Sequence, residues 1–154
     1  MDISPPAAVV TLDIDLTFKG TNREPQFALV NSSPPGSLVT VDEGGTIDLR
    51  NLDAAAKIRF RIVSIDSKYK VKWKGDARNS LLLSEQPFGR KRPWPESKQV
   101  TDVVISKDTM IICYTNKFGE EFSRYGIKYK VDGDNEYYDP AIKNVARPSS
   151  IPRA

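Results

Sequence analysis

The chain has 154 residues, with 23 Lys or Arg against 20 Asp or Glu, a formal net charge of +3 and no histidine. This length fits one domain, and a domain of this size buries roughly 70% of the surface of its unfolded chain, so a core forms without disulfides. Imidazole is the commonest general base near neutral pH and the commonest transition-metal ligand. Its absence excludes Ser-His-Asp, Cys-His and His-based metal sites.

The first predicted strand covers residues 9–18, where Val10, Leu12, Ile14, Leu16 and Phe18 alternate with other residues, mostly polar. Alternation with period two is typical of a strand with one face in the core and the other in water. The same pattern recurs at 58–62, 69–73 and 127–131. These segments predict half-buried strands of antiparallel sheets.

Shorter candidate strands lie at 26–30, 38–41, 46–49, 99–105 and 109–114. Turn-forming residues separate the strands at 33–36, 44–45, 74–76, 106–108, 118–119 and 132–134. Residues 51–57 could form one helical turn capped by Asp53. We therefore expect an all-β, immunoglobulin-like antiparallel sandwich of Greek-key type, formed by residues 1–145 as a single domain, followed by an extended Pro- and Ser-containing tail at 146–154.

Cys113 is the only cysteine, and it lies in the apolar run Met110-Ile111-Ile112-Cys113-Tyr114. A thiol in such a run is expected to be buried and to act as a small hydrophobe. The sequence contains no run of about 20 apolar residues, the length that spans a membrane, and its start lacks the pattern of a secretory signal. We therefore expect no membrane span and a cytoplasmic location.

Four lysines, Lys68, Lys70, Lys72 and Lys74, occupy alternate positions of one predicted strand. On an extended strand all four would project from the same face. The same spacing recurs in the pairs Arg59 with Arg61 and Lys128 with Lys130. If these strands are neighbours, they form a basic face that binds nucleic acid or an acidic glycan by releasing counterions. The alternative is a solvated face, partly neutralised by Asp13 and Asp15 through cross-strand pairs.

The best candidate binding site is a loop between prolines, Pro87-Phe88-Gly89-Arg90-Lys91-Arg92-Pro93-Trp94-Pro95. It places the consecutive cations Arg90, Lys91 and Arg92 close to Trp94. Such a loop can present a surface for an anion or a protein partner. Alternatively it is a surface connection in which Trp94 folds back over the edge of the core.

Acidic residues form two weaker candidates. The segment Asp132-Gly133-Asp134-Asn135-Glu136 partly resembles a calcium loop, but its glycine is second rather than sixth, and a hairpin turn explains Asp132-Gly133 more simply. Glu120 and Glu121 could serve a carboxylate-based hydrolase only if two carboxyl groups met across a cleft, and adjacent residues of a strand diverge. We predict no metal, no cofactor and no catalytic residue.

The segment Glu24-Pro25-Gln26-Phe27 after the first strand and Asp139-Pro140-Ala141-Ile142-Lys143-Asn144 near the end carry a family resemblance. In this layout the chain resembles the bacterial DP-EP family of small, uncharacterised proteins. The resemblance implies an immunoglobulin-like sandwich and a bacterial origin. It implies no substrate and no catalytic residue.

The sequence leaves several functions open. We expect a non-enzymatic β-sandwich that binds a partner or assembles into a homo-oligomer through a sheet edge, because open sandwiches leave strand edges unpaired. The alternative is polyanion binding through the basic face and the loop with Arg90, Lys91, Arg92 and Trp94. A hydrolase that uses carboxylates is the third alternative.

Overall fold

The computed structural model describes residues 9–33, 39–52, 54–74, 80–84, 92–96, 100–116, 122–138 and 140–143. These residues form thirteen strands and one 3₁₀ turn at Trp94–Glu96. The strands are β1 (Val9–Lys19), β2 (Gln26–Ser33), β3 (Thr40–Val41), β4 (Ile47–Asp48), β5 (Ala55–Ile65), β6 (Val71–Trp73), β7 (Leu81–Ser84), β8 (Arg92–Pro93), β9 (Val100–Ser106), β10 (Thr109–Tyr114), β11 (Phe122–Val131), β12 (Asp134–Tyr138) and β13 (Ala141–Lys143). The predicted all-β class is confirmed.

The strands form two sheets. The five-stranded sheet has the order β2-β1-β5-β10-β9, and the eight-stranded sheet has the order β3-β4-β13-β11-β7-β8, with β6 and β12 also paired to β11. Both sheets are mixed, because β1 pairs with β5 in parallel and β13 pairs with β4 in parallel. The expectation of purely antiparallel sheets was therefore wrong. Period-two alternation reports which face of a strand is buried, and it does not fix the direction of the neighbouring strand.

The two sheets pack face to face, as in a β-sandwich. Alternate residues of β1 are buried, and they include Leu12, Ile14, Leu16 and Phe18. Aromatic rings join the two layers: the ring centroids of Phe18 and Tyr129 are 5.5 Å apart, and those of Phe60 and Tyr125 are 5.6 Å apart. These separations lie in the range of favourable ring pairs. The central strand of the eight-stranded sheet, β11, thus has one face in the core and the other outside.

The loop between β3 and β4 is held by two tyrosine hydroxyls from the eight-stranded sheet. The Tyr125 hydroxyl donates to the carbonyl of Gly45, and the Tyr138 hydroxyl donates to the carbonyl of Gly44 at 2.9 Å. Gly45 has a φ of 93°, and a Cβ there would meet the ring of Phe27. Only glycine fits this left-handed position against the ring.

The turn between β11 and β12 is a two-residue hairpin. Asp132 and Gly133 both have positive φ, at 48° and 85°. Positive φ at both central residues is the requirement of a type I′ turn, for which Asp-Gly is a favoured pair. The predicted hairpin is confirmed, and it sets the register of β12 against β11.

Two further expectations were wrong. A helical turn was predicted at 51–57, but strand β5 begins at Ala55. Ala56 is the first buried residue of its alternating pattern. Cys113 lies on the outer side of β10, half-buried, while its neighbours Ile112 and Tyr114 face the core. An apolar run therefore does not place every member in the core when one face of the strand is outside. In the part of the chain that is described, no helix has the length and apolar character needed to cross a membrane.

Candidate functional site

The predicted binding loop is placed only in part. Arg90 and Lys91 lie outside the described residues, and the side chain of Arg92 is also outside the description, although its backbone pairs with Leu83 between β8 and β7. Trp94 opens the 3₁₀ turn, is half-buried and packs against the hydrophobic core. The proposed role of Arg90, Lys91, Arg92 and Trp94 in binding stays a prediction.

Two of the alternate lysines, Lys72 and Lys74, lie beside the lysine pair Lys128 and Lys130 of the neighbouring strand. Strand β6 pairs with β11 in a register that sets Lys72 opposite Lys130. One step further the backbone N–H of Lys74 donates to the carbonyl of Lys128 at 3.2 Å, which sets Lys74 beside Lys128. Trp73 and Tyr129 of the same strands are buried, so these lysines project from the outer side of the sheet. We call Lys72, Lys74, Lys128 and Lys130 the lysine face.

Strand β12 extends this surface on the other side of β11. Lys128 is paired with Tyr137, and Lys130 is paired with Asn135. Two rows therefore cross the outer side of the sheet: Lys74, Lys128 and Tyr137 in one, and Lys72, Lys130 and Asn135 in the other. Residues opposite each other on paired antiparallel strands have Cβ atoms about 5 Å apart, so the rows are continuous.

A shallow groove of about 290 Å³ runs along the first row. Its lining comprises Lys74, Leu82, Lys128, Asn135, Glu136 and Tyr137. Gly126, which pairs with Leu82, lies under the phenol ring of Tyr137, and the ring fills the space that a side chain at 126 would need. The groove thus combines lysine ammonium groups, an aromatic ring and an apolar side chain on one surface.

Tyr137 was not predicted as a site residue. Residues 132–136 were interpreted as a turn or a metal loop rather than as the start of a strand. Tyr137 is 37% exposed, whereas Tyr125 and Tyr129 are buried. The missed signal was the Asp-Gly turn followed by Tyr137 and Tyr138, since such a turn predicts a return strand, on which Tyr137 lies on the same side as Asn135.

Charge is arranged differently on the two sheets. On the five-stranded sheet, Arg59 pairs with Asp13, and Arg61 with Asp15 at 3.1 Å, across the parallel strands β1 and β5. The hydrogen bond from Arg59 holds the pKa of Asp13 below its ordinary value. The predicted neutralisation by Asp13 and Asp15 is confirmed for Arg59 and Arg61, which lie on the opposite sheet from the lysine face.

Among the residues that the structure describes, no ion pair involves the lysine face. All ion pairs between described residues involve arginines, namely Arg23, Arg50, Arg59 and Arg61. Lys70 precedes Lys72 by two residues along the chain and faces Asp132. The Asp132 carboxylate accepts the backbone N–H of Lys70 at 2.6 Å. Lysine therefore stands opposite lysine in the middle of the surface. Among the described residues, its acidic neighbours are Asp132 at the end and Glu136 in the groove lining, and Glu136 is bound by Arg23.

The acidic segment after the hairpin is bound by an arginine. The Arg23 guanidinium donates to Glu136 at 2.8 Å and to Asp134 at 3.2 Å, and it lies 5.2 Å from the centre of the Tyr69 ring. Across the described ranges, no group of three or more Cys, Asp or Glu residues is placed to hold a metal ion. The carboxylates of Asp134 and Glu136 therefore act in fixing β12 beside the loop that contains Arg23.

The carboxylate chemistry considered above finds little support in the residues that can be placed. Glu120 and Glu121 lie outside the described residues. A hollow of about 350 Å³ on the outer side of the five-stranded sheet is lined by Asp13 and Asp15. Both are ion-paired, and the pKa of Asp13 is lowered, whereas a general acid requires a raised pKa.

The strand edges considered for self-assembly are irregular in the five-stranded sheet. Its edge strands are β2 and β9. The pairing of β2 with β1 shifts register between Asp13 and Ile14, and that of β9 with β10 shifts between Cys113 and Tyr114. Bulges of this kind twist an edge away from a regular ladder and disfavour pairing with another chain.

A scan of the sequence against models of protein families finds no match. A search of the curated proteins finds no relative either.

Proposed function

We propose that this chain is a non-enzymatic module that binds an anionic polymer, and that the lysine face is its contact surface. One observation carries the proposal: Lys72 lies directly opposite Lys130, with Lys74 beside Lys128. Like charges directly opposite each other on paired strands destabilise a sheet. A bound polyanion would remove this repulsion and release its own counterions.

The alternative explanation is a solvated sheet face with no partner. Solvation accounts for one exposed lysine, but it does not account for lysines set against each other across two strands. The opposite sheet pairs Arg59 with Asp13 and Arg61 with Asp15 at comparable cross-strand positions. The contrast within one molecule favours a surface kept positive for a ligand.

Charge reversal with a matched control tests the proposal. Lys72→Glu and Lys57→Glu make the same change in net charge, and Lys57 is an exposed residue of β5 on the other sheet. We expect the wild-type protein to be retained on heparin and single-stranded DNA resins at low salt, and Lys72→Glu to elute at clearly lower salt than Lys57→Glu.

The same Lys72→Glu variant is expected to be no less stable than the wild type, because a carboxylate opposite Lys130 replaces repulsion by attraction, worth roughly 0.2–1 kcal/mol. Urea denaturation followed by tryptophan fluorescence measures this. The proposal fails if the wild type is not retained on either resin at low salt, or if the two variants elute together.

Other expectations stay proposals beside this one. The loop with Arg90, Lys91, Arg92 and Trp94 is proposed as a second contact for the same polymer. Membership of the DP-EP family, the immunoglobulin-like Greek-key topology, a cytoplasmic location and a homo-oligomer formed through a sheet edge also stay predictions. Light scattering over a range of protein concentrations tests the last of these.

A further inference from the structure

We infer that the polymer is a single-stranded nucleic acid and that Tyr137 is a stacking platform for one of its bases. This inference rests on the proposed function, since it names the class of polymer that the lysine face binds. Proteins that bind single strands without sequence preference combine a basic groove along the backbone with aromatic rings on which bases stack. The groove beside Tyr137 contains both elements.

The position of the Tyr137 ring suits stacking. Because Gly126 has no side chain, the ring lies over its backbone on the outer side of the sheet, in the space that any other residue at 126 would fill. Tyr137 is nevertheless 37% exposed, while Gly126 beneath it is buried. The sheet thus supports the ring from below, and the exposed part of the ring is where a base would stack.

The neighbours of the ring fit the remaining parts of a nucleotide. Lys128 is the direct cross-strand partner of Tyr137, and Lys74 lies beyond it in the same row. A base stacked on the ring would leave its phosphates within reach of these ammonium groups, which have long and flexible side chains. Asn135, two residues before Tyr137 and on the same side, offers an amide that can donate to or accept from a base edge.

An acidic glycan is the competing polymer, and it would use the same lysines. Its charges do not require an aromatic ring, whereas the flat face of a base does gain from one. The position of Tyr137 within the groove, rather than outside it, favours nucleic acid. The probes below separate the two polymers.

The test compares a short oligodeoxythymidine with an abasic oligonucleotide of the same length and charge, by fluorescence anisotropy at low salt. We expect the wild-type protein to bind oligodeoxythymidine about tenfold more tightly than the abasic probe. Tyr137→Leu, which still covers Gly126, should remove that difference in affinity between the two probes. Tyr137→Phe should keep most of the preference for oligodeoxythymidine over the abasic probe.

Each outcome decides between the proposals. Equal affinity of the wild type for both probes, or an unchanged preference in Tyr137→Leu, overturns the stacking inference while the lysine face stands. Stronger binding of heparin, with no preference for bases, points to an acidic glycan and also overturns the inference. If the wild-type protein shows no salt-dependent binding to any of the probes, the proposed function itself is overturned.

A second measurement uses only the wild-type protein and therefore needs no folded variant. An oligonucleotide carrying 5-iododeoxyuridine is bound to the wild-type protein and irradiated, and the crosslinked peptide is identified by mass spectrometry. We expect the crosslink at Tyr137. Crosslinks confined to peptides away from β6, β11 and β12 overturn the inference.

Discussion

The hydroxyl of Tyr125 joins the core to the loop between β3 and β4. It is buried and donates to the carbonyl of Gly45, and burial raises its pKa well above the ordinary value, so it remains a donor at any working pH. Tyr125→Phe leaves that carbonyl without its partner, and we expect a loss of roughly 1–2 kcal/mol in the free energy of unfolding. Urea denaturation followed by tryptophan fluorescence measures the loss.

Tyr138→Phe is the matched control for this prediction. Its hydroxyl donates to the neighbouring carbonyl of Gly44 from a more exposed position, where water can replace it. We therefore expect a smaller loss than for Tyr125→Phe. Equal effects of the two substitutions would show that burial of the Tyr125 hydrogen bond contributes nothing.

Single residues were the hardest feature to predict from sequence. Burial of Leu12, Ile14 and Leu16 followed from alternation along a strand, since the solvent-facing and core-facing sides of one long strand differ clearly in polarity. The exposed position of Tyr137 did not, because aromatic residues are usually buried and this one depends on Gly126 of the neighbouring strand. A cross-strand neighbour of this kind appears only when the register is known.

At the scale of elements, the parallel pair β1 and β5 carries a ladder of ion pairs. The Arg59 guanidinium donates to Asp13 and lowers its pKa, so the folded state favours the charged carboxylate. This stabilisation is present above the pKa of an unfolded aspartate, about 3.9, and is lost as the pH falls through the lower pKa of the folded protein.

The substitution Asp13→Asn tests the predicted direction of this pH dependence of stability. We expect the variant to be less stable than the wild type at pH 7, by at most about 1 kcal/mol for a pair on the surface. The difference should shrink as the pH falls from about 4 through the lowered pKa of Asp13 in the folded protein, because the wild-type carboxyl becomes neutral over that range. Thermal unfolding across this pH range measures it, with Glu43→Gln, an exposed carboxylate in the loop between β3 and β4, as the control. A difference that grows on acidification would contradict the assignment.

Most strands were predictable, including the short β3, β4 and β6, which fall within the predicted segments 38–41, 46–49 and 69–73. Strands β1 and β10 were predicted to within about one residue, and the core of β5 and the last part of β11 were found, because several apolar residues repeat at every second position. Strands β7, β12 and β13 were missed, since none of them alternates between apolar and polar residues. Their places in the sheet follow from pairing with β11, which is a tertiary effect.

At the scale of the whole molecule, the two outer faces differ in charge although the net charge is only +3. On one sheet arginine is paired with aspartate across neighbouring strands, whereas on the other sheet lysine is paired with lysine. Composition predicted a mildly basic protein and alternation predicted lysines on one side of a strand. Which basic strands are neighbours depends on sheet order, so the separation of Arg59 and Arg61 from the lysine face required the structure.

This asymmetry sets the salt dependence of binding. Each phosphate neutralised on a single strand adds about −0.7 to the slope of log K against log salt, so contact by the four lysines of the lysine face gives a slope of about −3. Replacing Lys72 and Lys130 by alanine removes two contacts and should reduce the slope to about −1.5. Titration of oligodeoxythymidine at several salt concentrations measures both slopes. The matched pair of substitutions Lys19→Ala and Lys57→Ala changes the net charge equally on the other sheet and should leave the slope unchanged. If both double variants reduce the slope alike, net charge rather than the lysine face governs the binding.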